Sequence, residues 1–490
     1  MTEKVRLGML STGVAGLDIL LGGGLTEYSF TLIAGAPGSG KTTLAHQIMF
    51  TLATPERRAL YFTVLGEPPL KMLRYQQQFT FFDMAKVGPC VRYVNLADDL
   101  RAGQFGGVLE RIMREVEDFG PSLVFVDSFR SLMQTARSGN EGLSDLQQFV
   151  QELGSRMATW QATTFLIGEY TQSEVDANPI ITVADGMIAL AQASDENSRL
   201  RKLRVIKMRG QDHMTGAHTM RITDDGIRVY PRQLPPLAED RTPDSTSGSP
   251  PDREPRRIPT GVAGLDRLMH GGLPQGHTLL VCGPTGIGKT IMGTRFLQAG
   301  AALGEKGVAM YFEKGTSRLR NAELADLVRA GDVTVVESRS LSLSVEELLD
   351  DLGAAIERTG ATRVVIDSLS EIELYLAPEV RADLRLAVFR ALSELAKRGV
   401  TVLIAVGTED DFTRLRFGPN ELCFLTDAVV AMRYAEIDGA LRKFITVVKV
   451  RGCDHSAELR EFRITAEGIE IDDHIALYDG VFNGSPAPRG

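Results

Sequence analysis

The heptapeptide T-G-V-A-G-L-D occurs twice without a change, at Thr12–Asp18 and Thr260–Asp266, 248 residues apart. The same offset carries Lys41 onto Lys289, and V-I-K-M-R-G-Q-D-H, ending at His213, returns as V-V-K-V-R-G-C-D-H, ending at His455. A period this long reads as a duplicated domain rather than as solenoid repeats. Pro231 to Pro259 holds eight of the chain's 21 prolines in 29 residues, together with D-S-T-S-G-S. Too few apolar side chains remain there to form a core. The chain therefore reads as domain 1–230, a Pro-rich linker 231–259, and domain 260–490, each of ordinary domain size.

Within each half, short apolar runs (T-L-I-A-G, A-L-Y-F-T, L-V-F-V-D) alternate with helix-like stretches such as L-Q-Q-F-V-Q-E-L. Strands buried on both faces have this composition, and β/α alternation predicts an α/β fold: in each half a mostly parallel sheet with helices on both faces. The later part of each half, with I-K-M-R-G and M-R-I-T-D-D-G-I-R-V, reads as strands joined by Gly-bearing turns. The net charge of −9 argues against holding nucleic acid or an anionic membrane by bulk positive charge. The basic run Arg199, Arg201, Lys202, Arg204 has no aromatic residues interleaved for base stacking, which points to a solvated or intersubunit face. Four scattered cysteines without a C-x-x-C pair, and no apolar run of membrane-spanning length, fit a cytoplasmic protein with no membrane partner.

G-A-P-G-S-G-K-T (Gly35–Thr42) and G-P-T-G-I-G-K-T (Gly283–Thr290) both match the phosphate-binding pattern G-x-x-x-x-G-K-[ST]. Gly35, Gly38, Gly40 and Gly283, Gly286, Gly288 let successive amides turn toward phosphate oxygens, and the following helix presents its positive end to the same anion. Lys41 and Lys289 are candidates for the β/γ-phosphates of ATP, with the adjoining Thr43 and Ile291 as further nucleotide contacts. The hydroxyls of Thr42 and Thr290 suit a Mg²⁺ shell that keeps water ligands. Two apolar runs end in an acid suited to the same metal, Asp127 and Asp367, 86 residues after Lys41 and 78 after Lys289.

Tandem units with T-G-V-A-G-L-D, G-G-L, a P-loop, I-D-S and K-x-R-G-x-x-H resemble the KaiC-type ATPases of circadian clocks, from Leu10 to Pro486. The resemblance implies tandem RecA-like domains, a homohexamer with ATP at subunit interfaces, and trans-acting cations at Lys207, Arg209, Lys449 and Arg451. It sets His213 and His455 beside the nucleotide. It also implies a signalling output through a partner, such as a KaiB-like protein. Members carry two consecutive glutamates after the strand that follows the P-loop helix. The second half keeps Glu313 followed by Lys314, which makes Glu313 the general-base candidate. In the first half Leu65 and Gly66 stand at those places and Glu67 lies one beyond, so the first domain is expected to bind ATP for assembly and the second to carry most turnover. The family's adjacent Ser-Thr phosphorylation pair falls on Cys423 and Phe424, which argues against an ordered autophosphorylation cycle, with Thr413 and Thr426 as the nearby alcohols. The chain ends four residues after Pro486, where clock members continue, so control by an activator gripping that tail is not expected. Serine/threonine kinase activity, a non-hydrolysing scaffold and a DNA-handling ATPase stay open as alternatives to a timing or signalling ATPase.

Overall fold

A computed structural model describes residues 8–63, 69–101, 105–128, 142–170, 183–195, 198–232, 256–312, 322–337, 344–370, 378–408, 424–475, 478, 479, 481, 487 and 488. Contacts divide the chain into two units, Met1–Pro235 and Pro236–Gly490. Each contains one nine-stranded sheet.

In the first unit the strands are β1 (Phe30–Gly35), β2 (Ala59–Thr63), β3 (Val91–Asn95), β4 (Leu123–Asp127), β5 (Thr163–Glu169), β6 (Gly186–Asp195), β7 (Ser198–Met208), β8 (His218–Thr223) and β9 (Gly226–Tyr230). Their order across the sheet is β3-β2-β4-β5-β1-β6-β7-β8-β9. From β3 to β6 every pairing is parallel; from β6 to β9 every pairing is antiparallel. The second unit repeats this order with β10 (Thr278–Gly283), β11 (Gly307–Tyr311), β12 (Val333–Glu337), β13 (Arg363–Asp367), β14 (Thr401–Gly407), β15 (Ala428–Ile437), β16 (Ala440–Val450), β17 (Arg460–Thr465) and β18 (Gly468–Ile475). Its order is β12-β11-β13-β14-β10-β15-β16-β17-β18, strand for strand the arrangement of the first.

The α/β class expected from the sequence is the observed one, and its cause is visible in burial. Leu32, Ile33, Leu60, Phe62, Val124 and Phe125 are wholly enclosed, which an apolar strand needs when helices cover both faces. Helices α1 (Lys41–Leu52), α2 (Phe105–Phe119) and α3 (Gly142–Thr159) belong to the first unit. Helix α4 (Lys289–Ala302) follows β10 as α1 follows β1. Among the described residues no helix is long and apolar enough to cross a membrane. Arg257–Ile258 pairs with Leu273–Pro274 and buries Ile258, so ordered structure of the second unit begins ahead of Thr260.

The duplicated heptapeptide does structural work. Thr12 donates to Asp18 Oδ1 through its amide (2.9 Å) and its hydroxyl (2.6 Å). Thr260 makes the same pair to Asp266 Oδ1, at 2.8 and 2.7 Å. The carboxylate ties the chain entering the domain to the first turn of a short helix whose Leu17 or Leu265 is fully buried. Burial raises the Asp266 pKa, against the Thr260 hydrogen bonds and the charge of Arg363, which lower it. Replacing Asp266 with Ala leaves a buried hydroxyl and amide without their acceptor. We expect a loss of about 2–3 kcal/mol from the second domain, read as a lower denaturant midpoint for that domain's transition.

Candidate functional site

Both P-loops leave the carboxyl end of a central parallel strand, the place where open α/β sheets receive ligands. In the first, Gly38 (φ 74°) and Gly40 (φ 104°) take left-handed conformations; Gly286 (φ 79°) and Gly288 (φ 119°) do so in the second. Backbone of this kind gathers amides into an anion-binding concavity, which the amino end of α1 or α4 then closes. A side chain at Gly40 would also begin 2.9 Å from Ile222 Cδ1, against the sheet's antiparallel side.

The hydroxyl and carboxylate expected to serve a metal meet in both domains. Thr42 Oγ1 donates to Asp127 Oδ2 at 2.9 Å, and Thr290 Oγ1 to Asp367 Oδ2 at 2.6 Å. The peptide bonds Asp127–Ser128 and Asp367–Ser368 are both cis. Lys41 Nζ folds onto Ala36 O (2.9 Å), and Lys289 Nζ onto Gly283 O and Pro284 O (2.8 and 2.9 Å). Hard oxygen donors limited to one carboxylate and one hydroxyl fit Mg²⁺, which retains several waters and takes its remaining ligands from phosphate. Among the described residues no cluster of three His, Cys, Asp or Glu offers a protein-made metal cage.

Around the first P-loop lies a cavity of about 330 Å³ lined by Gly38, Lys41, Thr42, Thr43, Asp127 and Glu169. Burial pulls the Lys41 pKa down, while Glu169 and Asp127 pull it back up. Burial raises Asp127; hydrogen bonds from Tyr61 and Thr42 and the Lys41 charge oppose that rise, and Glu169 adds to it. Glu169 is a site residue that the sequence reading missed. It ends β5 opposite Gly35 of β1, and its signal is the one that revealed Asp127: an apolar strand, T-T-F-L-I-G-E, closing on an acid. The aligned residue beside Gly283 is Gly407, so at this register position the carboxylate is present only in the first domain. A larger cavity of about 810 Å³ in the first unit, bordered by Tyr28, Glu117, Trp160 and Thr163, opens at the amino ends of the strands, at the sheet edge opposite this unit's phosphate-binding loop.

The K-x-R residues sit elsewhere. Lys207 pairs with Met187 of β6, which pairs with Leu32 of β1, three residues before Gly35. Lys449 pairs with Val429, and Val429 with Leu280, again three residues before the P-loop glycine, Gly283. Arg209 and Arg451 lie further toward the amino ends of β1 and β10, their amides donating to Asp185 O and Asp427 O. With about 3.3 Å per strand residue, each Lys backbone is about 10 Å along the sheet from its own phosphate cradle and each Arg further still. Lys207 Nζ donates to Ala184 O and Lys449 Nζ to Thr426 O, both at 2.6 Å, on that far end. Burial lowers the Lys207 pKa, Arg209 adds to the effect, and Asp185 opposes it. A bulge precedes each lysine, at Ile206 and at Val448, and re-aims the end of the strand. His213 and His455 follow in the turns beyond, their amides donating to Asp212 and Asp454. The candidate bases Glu67 and Glu313, with Leu65, Gly66, Lys314, Thr413 and Cys423, lie outside the described residues.

Residues 10–234 and 258–475 match the family described as "ATPase: KaiC". The chain belongs to the KaiC ATPase family. It is 26% identical to the circadian clock oscillator protein KaiC of Picosynechococcus sp., aligned over 99% of this chain and 92% of the relative. The corresponding proteins of Synechococcus elongatus and Rippkaea orientalis are also 26% identical, over 99% of this chain and 93% of each relative. This KaiC-family chain is an ATP-binding, P-loop ATPase with two RecA-like domains. Substituting Lys41 or Lys289 with Ala should halve the nucleotide bound per chain, and the double substitution should abolish it, as read by titration calorimetry.

Proposed function

We propose that the protein hydrolyses Mg-ATP at sites completed between subunits of a homohexamer, and that its nucleotide state sets the surface it offers to a signalling partner. One copy would supply P-loop, threonine and aspartate; its neighbour would supply Lys207 and Arg209, or Lys449 and Arg451. The observation that supports this most is the separation of each K-x-R pair from its own cradle. Cations stabilise a transferring phosphoryl group only when they stand beside it in advance, and these stand at the other end of their own sheet. The ring of six and a KaiB-like partner come from the resemblance to clock ATPases.

When bound, Mg²⁺ would neutralise charge on the nucleotide's phosphates. Thr42 and Asp127, or Thr290 and Asp367, would hold it from one side while Lys41 or Lys289 meets the phosphates. In the second site Glu313 would accept the proton of the attacking water as its oxygen bonds the γ-phosphorus and the bond to the β–γ bridging oxygen breaks, ADP leaving with the electron pair. Lys449 and Arg451 of the neighbour would take up the charge that develops. In the first site Leu65 and Gly66 replace the family's glutamates, leaving Glu67 as the candidate base. We assign that ring mainly to assembly.

A kinase reading finds less support. Thr426 is 1% exposed, so it offers no accessible hydroxyl in this domain. Mass measurement of the purified chain should show a hexamer that depends on Mg-ATP. On the assembled species Glu313→Gln should cut turnover at least about a hundredfold and Glu67→Gln less than about twofold. Full activity in the Glu313 variant, or a chain that stays monomeric at saturating Mg-ATP, would refute the assignment.

A further inference from the structure

The two domains share topology and cradle, yet the layer beneath the metal-site carboxylate differs. In the first domain one register level of the sheet carries Tyr93, Tyr61, Phe125 and Phe165 on four adjacent strands, β3, β2, β4 and β5. Their rings form a continuous row, with centroids 5.4 Å apart from Tyr93 to Tyr61, 5.9 Å from Tyr61 to Phe125, and 4.6 Å from Phe125 to Phe165. His46 of α1 packs on Tyr61 from above at 4.5 Å, and its Nδ1 lies 2.7 Å from Thr42 O. Tyr61 is wholly buried, and its hydroxyl donates to Asp127 Oδ2 at 2.7 Å, the oxygen that Thr42 also uses. At the same level the second domain has Val335, Ala309, Val365 and Leu403, and Thr294 stands where His46 does. Its Asp367 receives no tyrosine hydroxyl from that row.

We propose that Tyr61 is a positioning residue for Asp127, holding the carboxylate on a rigid aromatic row so that the first domain's affinity for Mg-nucleotide depends on the tyrosine hydroxyl. This deepens the reading of the first domain as an assembly site and rests on it. A carboxylate on a strand end can rotate about two bonds, and a ligand that must be ordered at the moment of binding loses affinity. Tyr61 removes that freedom. Its ring is wedged between Tyr93, Phe125 and His46, so its hydroxyl has one place to go. Partners that orient a metal ligand commonly matter about tenfold or more to metal affinity.

The experiment uses the full chain carrying Lys289→Ala, which silences the second site, and titrates Mg²⁺ against a fluorescent, non-hydrolysable ATP analogue. Adding Tyr61→Phe keeps the ring and removes the hydroxyl. We expect the half-saturating Mg²⁺ concentration to rise about tenfold, with the thermal midpoint lowered by only a few degrees because Thr42 still donates to Asp127. Adding Tyr93→Phe instead removes a hydroxyl from the same row without touching Asp127, and should leave the Mg²⁺ dependence where it was. An unshifted titration in Tyr61→Phe overturns the proposal, as does an equal shift in Tyr93→Phe, which would assign the effect to packing. Adding Lys41→Ala must abolish binding in this background. If it does not, the nucleotide-site reading has failed instead, whatever Tyr61 does.

Discussion

A parallel strand delivers its carboxyl end to one edge of a sheet, and an antiparallel strand returning beside it delivers its carboxyl end to the other. This constraint governs both halves of the molecule. β1 and β10 end in phosphate cradles, while β7 and β16, two places along the sheet and running the opposite way, end in Lys and Arg. Every other feature of the site follows from it. Asp127 and Asp367 reach the cradle because β4 and β13 are parallel to the P-loop strand, and the K-x-R residues fail to reach it because their strands are not.

Much of this was legible in the sequence because its causes are local. A glycine-rich turn before Lys-Thr specifies its own backbone, and an apolar run closing on aspartate identifies a buried strand and its exposed end in one pattern. The duplicated T-G-V-A-G-L-D was equally visible, but its purpose was not. Thr12 and Thr260 bond Asp18 and Asp266 six residues on, and that closure becomes evident only when the turn is built. Glu169 carries the same strand-end signal as Asp127, but an acid closing an apolar strand does not by itself say that the strand lies next to the P-loop strand. Tyr61 carried none, since its partner lies 66 residues away and the pairing depends on the register of two strands. The placement of Lys207 and Lys449 at the far end of the sheet likewise depends on hairpin registers, including a bulge, that composition does not set.

The duplication preserved architecture while letting chemistry diverge. The two sheets agree strand for strand, and the hydroxyl–carboxylate pair of the candidate metal site agrees with them. The differences lie one layer out: Glu169 against Gly407 beside the P-loop, and an aromatic row against an aliphatic one beneath the carboxylate. Such a pattern is what the proposed division of duties between the two domains would require.

The central claim, that cradle and cations come from different copies, is tested most directly by complementation. One chain carries Lys289→Ala; the other carries Lys449→Ala and Arg451→Ala, so the first-domain sites assigned to assembly stay intact in both. Each alone should be inactive. Mixed in equal amounts under conditions where subunits exchange, they should recover about a quarter of the unmodified rate, since about one interface in four pairs an intact cradle with intact cations. A mixture that forms joint rings and remains as inactive as its parts would contradict the account.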